Sequence, residues 1–361
     1  MENNLKLLVF DNFKDFGEKV NDHLNKIRKT NVNYVVPAEE TRFNNGEGKF
    51  KINESIRDQD VYILSDVGNH SITYNMYDYI NHKSPDDHYQ DIKRAICAIR
   101  DHSKCNSIIM PLLYASRQHR RNGRESLDCA SALQELIALK VKNIMTFDVH
   151  SKDIQNAIPN SSFDSFFPTK EIISAFLKEE VDFNNMFVLA TDTGAVGRAN
   201  LYANLFKCEM GFFRKERNTS ILVDGKNPII KHQYVGSSFK GKVVLIPDDM
   251  IASGESILEV AHEARKRGAS KIYLITTFAL FTKGIETFKK AYKKKDFTKL
   301  FTTNLTYFDQ KYNDFEWIEA VDCSYKTAQI IDCLNKGCSI SPLLNESEII
   351  TKMINERVKD I

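Results

Sequence analysis

Residues 243–257, VVLIPDDMIASGESI, indicate how the second half of the chain folds. The first five, Val243–Pro247, form an apolar run of the length of a buried strand. Two carboxylates follow at its end, Asp248 and Asp249, and a small turn over Ala252–Gly254 comes next. The apolar spacing beyond the turn predicts a helix. The stretch therefore predicts a strand, an acidic pair and a loop that opens a helix.

A loop of this kind is suited to the phosphate of a sugar phosphate. Its backbone N–H groups and the positive end of the helix dipole can hold the anion with little help from side chains. Ser253 and Ser256 add hydroxyl donors, and Gly254→Val is expected to obstruct the phosphate. Asp248 and Asp249 can accept hydrogen bonds from sugar hydroxyls or hold the water shell of a divalent cation. For the acidic pair alone, the alternative is a solvated strand end with a helix cap.

The composition is that of an ordinary soluble protein. The 361 residues are 42% hydrophobic and 27% charged, and they leave room for two domains. A net charge of +2 gives no global field for nucleic acid or a membrane, and no apolar run reaches the ~20 residues of a membrane span. The first residues are unlike a signal peptide, and seven cysteines without a Cys-x-x-Cys pair argue against disulfides and zinc. We expect a cytoplasmic protein with local anion sites.

Apolar runs typical of strands alternate with helical patterns along the chain. This alternation predicts an α/β protein with parallel sheets covered by helices, in which ligands bind beyond the carboxyl ends of strands. The polar stretch Pro159–Pro168 interrupts the pattern and predicts a domain boundary near residue 160. The predicted strands are Leu5–Phe10, Val61–Leu64, Ser107–Leu113, Asn143–Phe147, Met186–Ala190, Met210–Phe213, Val243–Ile246 and Lys271–Phe278.

Polar side chains crowd the loop that follows the strand Ser107–Leu113. Arg117, Arg120 and Arg121 lie together there with Gln118. Such a cluster of arginines indicates either a bound anion or a fully solvated loop.

Other strand ends also carry polar residues. Asp148 and His150 follow one strand, and Asp192 follows another with a Gly-containing turn. A lone histidine in this position is typical of a structural residue, and Asp148 can orient its imidazole. Lys215 and Arg217 follow the strand Met210–Phe213 and, taken alone, are typical of a solvated loop.

The order of residues 243–257 resembles the phosphoribosyl-diphosphate (PRPP) binding motif of type I phosphoribosyltransferases and ribose-phosphate diphosphokinases. Other stretches resemble blocks of the diphosphokinases in the family's order, and the resemblance covers nearly the whole chain. The sequence is identified as a divergent member of that family. The further stretches are RFNNGE at 42–47, MPLLYASRQHRR at 110–121, DVHS at 148–151, TDTGAVGR at 191–198 and RKER at 214–217.

The resemblance implies an ATP site in the N-terminal half. Phe43, Asn45 and Glu47 match a loop that in the family contacts the adenine of ATP bound to a neighbouring subunit. Arg117 and Gln118 match residues that hold the nucleotide. The expected active form is therefore a homo-oligomer built from dimers, up to a hexamer.

The resemblance also implies the catalytic and metal-binding residues. Lys215 and Arg217 match cations that stabilise the transferring diphosphoryl group, and His150 matches a histidine that reaches magnesium and the phosphates. Asp192 matches an aspartate near ribose 5-phosphate and magnesium, so His150 and Asp192 are the expected ligands of Mg²⁺. The expected ribose 5-phosphate site comprises Asp192, Asp248, Asp249, Ala252, Ser253, Gly254 and Ser256.

The implied fold is two tandem type I phosphoribosyltransferase-like domains, each a mainly parallel sheet flanked by helices. Residues 1–160 would form the ATP side and residues 161–345 the domain with the ribose 5-phosphate loop, followed by a helix within 346–361. The implied reaction is attack of the ribose 5-phosphate 1-hydroxyl on the β-phosphorus of ATP, giving PRPP and AMP for nucleotide biosynthesis. The partners are then ATP and ribose 5-phosphate, without nucleic acid or membrane.

The chain also departs from the family pattern. Asn45, His119 and Ala252 stand where the family has Asp, and Glu255 replaces a Gly. These changes leave open a catalytically weak regulatory homologue. A phosphoribosyltransferase would share the phosphate loop but has no reason to carry the nucleotide-side residues. The segment 69–91 is longer than the corresponding segment of the family. It looks like an inserted surface hairpin or loop, and the sequence assigns it no role.

Overall fold

The computed structural model describes residues 4–100, 102–217 and 229–359, with the backbone alone at 215–217 and 229–232. The chain forms two compact units, each with its own sheet. The first unit consists of Met1–Pro168, Asn304–Tyr307 and Asp322–Asn345, and the second of Thr169–Thr303, Phe308–Val321 and Glu346–Ile361.

The first 168 residues contain nine strands and three α-helices in the described ranges. The strands are β1 Leu5–Val9, β2 Ala38–Arg42, β3 Gly48–Ile52, β4 Asp60–Leu64, β5 Thr73–Met76, β6 Tyr79–His82, β7 Cys105–Ile109, β8 Asn143–Phe147 and β9 Ser162–Phe166. The helices are α1 Lys14–Arg28, α2 Pro85–Ile99 and α3 Asp128–Ala138.

The elements beyond residue 168 belong mostly to the second unit, but α8 and α9 belong to the first. The strands are β10 Met186–Ala190, β11 Glu209–Arg217, β12 Ile229–Val235, β13 Val243–Ile251, β14 Lys271–Ala279, β15 Lys299–Thr303 and β16 Ile318–Val321. The helices are α4 Thr169–Phe176, α5 Val196–Phe206, α6 Glu255–Lys266, α7 Glu286–Lys293, α8 Ser324–Asn335, α9 Ser341–Leu344 and α10 Ser347–Lys359.

The main sheet of the first unit has the order β1-β4-β7-β8-β9, and all its pairs are parallel. Every residue of β4 is buried, as expected of a parallel strand that is covered on both faces. Two antiparallel hairpins, β2–β3 and β5–β6, stand apart from this sheet. Helix α2 begins with a capping box, because the Ser84 hydroxyl accepts a hydrogen bond from the Asp87 N–H and the Asp87 carboxylate accepts one from the Ser84 N–H.

The sheet of the second unit has the order β12-β11-β10-β13-β14-β15-β16. Its pairs are parallel except for β11–β12, which is antiparallel. The first five residues of β13 are buried, and α6 packs Ile257, Val260 and Ala264 into the same core as Val244 and Ile246. The predicted α/β architecture with parallel sheets is therefore confirmed.

Two strands run further than the sequence predicts. β13 continues through the acidic pair to Ile251, because β14 keeps pairing with it as far as Ile251↔Ala279. β11 continues to Arg217, because β12 pairs with it.

The compact units also differ from the sequence-based boundaries. The stretch near residue 160 contains β9, an edge strand in which three polar residues accompany Phe163 and Phe166. The first unit thus extends to Pro168 and includes α8, which packs on α1 through an Arg28–Asp332 ion pair of 2.7 Å. In the described ranges, no helix has the length and apolar character needed to cross a membrane.

Candidate active site

The loop at residues 252–256 joins β13 to α6 in the second unit. Gly254 caps the helix with a φ of +83°, a conformation that glycine adopts without steric cost. A Cβ atom on Gly254 would lie 2.3 Å from Cε2 of the buried Phe288 ring, so the core approaches the loop too closely for any other residue. The Thr282 N–H donates to the Ala252 carbonyl at 2.9 Å. The loop backbone is therefore held from two sides, while the first N–H groups of α6 have no acceptor within the helix.

Glu255 lies in the first turn of α6, where the sequence departs from the family glycine. Its carboxylate forms an ion pair with the Lys283 ammonium group, and both side chains are exposed. The lysine compensates the negative charge that Glu255 brings to a loop suited to an anion. Sequence reasoning missed Lys283 because the pair joins positions 28 residues apart.

Met250 and Ile251 separate the acidic pair from this loop. The Thr191 hydroxyl donates to Asp248 Oδ2 at 3.3 Å, and the Asp249 N–H donates to Asp248 Oδ1 at 2.9 Å. Burial, followed by repulsion from the Asp249 carboxylate, raises the pKa of Asp248 to about 7, although Arg198 acts in the opposite direction. No local pattern singled out Thr191, an ordinary β-branched residue at a strand end. Two adjacent carboxylates with one raised pKa are a site that favours a cation.

The raised pKa of Asp248 predicts a pH-dependent stability for the ligand-free protein. An unfolded aspartate loses its proton near pH 4, whereas folded Asp248 keeps its proton until about pH 7. Its contribution to stability is therefore fully present below about pH 4 and is lost as the pH rises to about 7. Asp248→Asn, which mimics the protonated side chain, should raise the unfolding midpoint at pH 8 relative to the wild type and change it little at pH 4.

Denaturant unfolding between pH 4 and pH 8 measures this effect. Asp15→Asn removes an exposed aspartate of α1 and serves as the matched control, with no change in the slope of stability against pH. An Asp248→Asn variant with the wild-type slope would contradict the assignment.

Asp192 lies at the same edge of the second sheet. Its strand β10 pairs directly with β13, and one of its oxygens, Oδ1, accepts hydrogen bonds from the N–H groups of Gly194 and Ala195 at 2.9 and 3.2 Å. These bonds orient the carboxylate within its own turn, and the preceding residue, Thr191, contacts Asp248. The structure thus brings Asp192, Asp248 and Asp249 to one edge of the sheet, as the sequence predicts.

The two cations expected to act in catalysis lie on β11. The backbone of Lys215 pairs with His232 and that of Arg217 with Ile229, with an irregular register between them. The side chains of Lys215 and Arg217 lie outside the described part of the structure.

In the first unit, the expected adenine loop is the turn of the β2–β3 hairpin. The Asn45 amide donates to Glu47 Oε2 at 2.9 Å, and its oxygen accepts from the Glu47 N–H at 3.2 Å. Phe43 leaves half of its surface exposed. The amide that replaces the family aspartate thus bridges to Glu47, and an aromatic face and a carboxylate remain accessible at the turn.

The second nucleotide-side segment follows β7. Arg117 is exposed, while the Gln118 amide donates to the Ser126 carbonyl at 2.9 Å and ties the loop to itself. The His119 ring packs edge-on against the exposed His150 ring, with centroids 5.3 Å apart. Burial and the neighbouring His150 lower the pKa of His119. The structure therefore places Arg117, Gln118 and His150 in one region of the first unit.

The residues present suit magnesium better than a transition metal. Within the described ranges, no three His, Cys, Asp or Glu side chains are close enough together to hold a metal ion by themselves. Mg²⁺ needs no such cage, because it keeps several waters and binds one or two carboxylates together with substrate phosphates. The oxygen donors of Asp192, one of the two expected ligands, match that preference, and the other expected ligand, His150, lies in the first unit.

Comparison with known proteins supports the same relationship. A model of the N-terminal domain of ribose phosphate pyrophosphokinase matches residues 5–139, and a phosphoribosyl transferase domain model matches residues 169–314. Ribose-phosphate pyrophosphokinase of Pyrococcus abyssi is 28% identical over 200 residues, which cover 55% of this chain and 66% of that protein. Ribose-phosphate pyrophosphokinase A of Dictyostelium discoideum is 23% identical over 78% of this chain and 80% of that protein.

A solved structure shows the same fold. The phosphoribosylpyrophosphate synthetase from Mycobacterium smegmatis superposes with a TM-score of 0.74 at 18% identity, over 93% of this chain and 100% of that one. This likeness confirms the two tandem phosphoribosyltransferase-like domains. Together the two matching models cover well over half of the chain. The chain belongs to the ribose-phosphate pyrophosphokinase (diphosphokinase) family.

Proposed function

We propose that this protein transfers the diphosphoryl group of ATP to the 1-hydroxyl of ribose 5-phosphate and releases AMP. The observation that carries the proposal lies at one edge of the second sheet. There the end of β13 and a short loop join a close carboxylate pair to a glycine-capped helix N-terminus. Such a site offers acceptors for sugar hydroxyls and donors for a phosphate at neighbouring positions. Its substrates are then ATP and ribose 5-phosphate, and the active form is a homo-oligomer.

The ribose 5-phosphate would bind through the loop at 252–256. Backbone N–H groups of the first turn of α6, together with the hydroxyls of Ser253 and Ser256, donate to the phosphate oxygens. Lys283 keeps the Glu255 carboxylate paired and so lowers its repulsion of the anion. Asp248 and Asp249 accept hydrogen bonds from the ribose hydroxyls and align the 1-hydroxyl.

Charge develops on the diphosphoryl oxygens during the transfer. Lys215 and Arg217 stabilise it as preorganised cations. Asp192 and His150 would hold magnesium, which when bound neutralises phosphate charge and aligns the oxygens for in-line attack. Phe43, Asn45 and Glu47 contact the adenine of ATP bound to a neighbouring subunit. Arg117 and Gln118 hold the nucleotide.

A second candidate is a catalytically weak homologue that binds the same substrates. The His119–His150 ring contact favours it, because the family aspartate at position 119 is replaced by a ring that packs on the expected magnesium residue. The two candidates agree on substrate binding and differ in turnover. Isothermal titration with each substrate, followed by product analysis on the same preparation, distinguishes them.

Ser256→Ala should selectively weaken the binding of ribose 5-phosphate. Loss of one hydroxyl donor to a phosphate oxygen is expected to raise KM for ribose 5-phosphate by about tenfold or more, with KM for ATP nearly unchanged. Steady-state kinetics with each substrate varied in turn measures the split. Ser131→Ala, on the exposed face of α3, is the matched control. Equal losses for both substrates would argue against a dedicated sugar-phosphate loop.

A further inference from the structure

The segment that exceeds the family pattern forms the β5–β6 hairpin and leads into α2. Tyr77 and Asp78 make its two-residue turn, with φ values of +48° and +64°. Such turns favour Asn-Gly, so a tyrosine in the left-handed region is a strained choice. The Tyr77 N–H donates to the Asn44 carbonyl at 3.0 Å. The strained turn is therefore bound to the expected adenine loop.

Side chains of the hairpin also contact this loop, which is defined here as residues 43–47. A Cβ on Gly46 would lie 2.6 Å from the Met76 sulfur, so the methionine packs directly against the loop backbone. The Arg42 guanidinium lies over the Tyr74 ring, 5.2 Å from its centroid. The hairpin covers one side of the adenine loop.

A buried charge cluster fixes the base of both hairpins. Lys83, which follows β6, contacts Glu40 of β2 at 2.7 Å and Asp91 of α2 at 3.1 Å. Asp91 also accepts from Arg42 Nη2 at 2.8 Å, and Arg42 Nη1 donates to the Gly46 carbonyl at 3.0 Å. The Lys83 and Asp91 side chains are only 5% and 6% exposed. The chain of contacts runs without a gap from the inserted segment to the adenine loop.

Burying such a cluster is costly unless every charge is paired, and hydrophobic residues would fill the space at lower cost. The fully paired arrangement here gives the cluster a defined geometry. Arg42 is the residue immediately before the loop. One of its guanidinium nitrogens donates to the Gly46 carbonyl of the loop, and the other donates to the Asp91 carboxylate of α2. The loop position is thus set by α2.

Helix α2 reaches the second nucleotide-side segment as well. Asp86 accepts a hydrogen bond from the Tyr114 hydroxyl at 2.7 Å, and Tyr89 stacks on Tyr114 with centroids 4.3 Å apart and planes at 7°. Tyr114 lies three residues before Arg117. One helix therefore contacts both segments of the first unit that are assigned to the nucleotide.

We propose that residues 73–91 are a positioning device that holds the adenine loop in its binding conformation before nucleotide arrives, with Lys83 and Arg42 as positioning residues. The identity of the ligand as ATP rests on the proposed function. The preordering of the loop does not rest on the proposed function, because it is a property of the ligand-free protein. A preordered loop binds nucleotide without a conformational cost. When the loop is no longer held, the apparent affinity falls in proportion to the fraction of molecules that have the binding-competent loop conformation.

Lys83→Met tests the device in the full-length protein. Hydrogen exchange of the Phe43, Gly46 and Tyr77 amides, measured without ligand, should accelerate by about tenfold or more when the loop opens locally. The Kd for ATP should weaken on the order of tenfold, with the Kd for ribose 5-phosphate unchanged. Lys299→Met is the matched control, because Lys299 also bridges two carboxylates, Glu179 at 2.9 Å and Glu319 at 2.7 Å, but lies in the second unit. The control should leave the loop amides and ATP binding at wild-type values.

A second variant covers the case in which Lys83→Met does not fold. Replacing residues 74–81 by a short Gly-Ser linker leaves the charge cluster in place and should produce the same acceleration at Phe43 and Gly46. Changing Tyr77-Asp78 to Asn-Gly keeps the turn backbone and should retain wild-type protection.

Wild-type exchange of the loop amides in either the Lys83→Met or the linker variant would overturn the positioning role, whatever the protein does with ATP. If the wild type binds no ATP while the loop amides still accelerate in both variants, the proposed function fails and the positioning role stands. The two hypotheses are thereby tested separately.

Discussion

Replacing Lys215 or Arg217 by alanine is expected to cut turnover by about two to three orders of magnitude, the scale on which one transition-state donor acts. In the proposed mechanism these cations act on negative charge that increases during transfer, beyond the charge that bound ATP already carries. Binding of ATP should therefore change little, because an interaction made only in the transition state lowers kcat and kcat/KM together. Steady-state kinetics combined with direct titration of ATP measures both quantities.

Lys240→Ala is the matched control, since it removes an exposed lysine of the same unit at a position with no assigned role. It should keep wild-type turnover. If Lys215→Ala and Arg217→Ala both turn over at nearly the wild-type rate, the two residues have no part in the mechanism. If they instead raise KM for ATP and spare kcat, they serve uniform binding.

Gly254→Val is expected to destabilise the second unit by at least about 2 kcal/mol. The sequence alone predicts that the new side chain obstructs a bound phosphate. The structure gives a different reason why the substitution is harmful. The new Cβ would lie 2.3 Å from the Phe288 ring, and the backbone φ at this position is +83°. Both clash and strain act on the fold before any ligand binds. Thermal unfolding without ligand measures the loss.

Gly123→Val separates the two causes. Gly123 also has a positive φ, +75°, but nothing lies within 4 Å of its added Cβ. The Gly123→Val variant should lose only the stability that backbone strain costs, about 1–3 kcal/mol. Equal losses in the two variants would show that contact with Phe288 contributes nothing, and a Gly254→Val protein of wild-type stability would contradict the close packing of the loop.

Strands with continuous apolar runs could be predicted from the sequence. β4, β8 and β10 are buried in the centre of parallel sheets, where local hydrophobicity and strand formation coincide. β9 could not be recognised, because this edge strand has three polar residues among five and lacks that run. The return of α8 to the first unit depends on ion pairs between residues about 300 positions apart, which no local pattern reveals.

The candidate site also has features that the sequence could predict and features that it could not. Asp192 and the acidic pair could be predicted to lie together, because the sequence places them after two apolar strand runs and parallel strands bring their carboxyl ends to one edge. The pairing of Lys283 with Glu255 could not, nor could the contact of Lys83 with Glu40 and Asp91. These pairs form through tertiary folding, and each lysine taken alone is typical of a solvated surface residue.

The most direct test is product analysis with ATP labelled at the β-phosphorus. Purified protein with magnesium, labelled ATP and ribose 5-phosphate should form AMP and labelled PRPP in equal amounts, because the β- and γ-phosphates move together to the sugar. Omission of ribose 5-phosphate should stop AMP formation. Label that appears in ADP, or that stays in ATP although both substrates bind, would contradict diphosphoryl transfer.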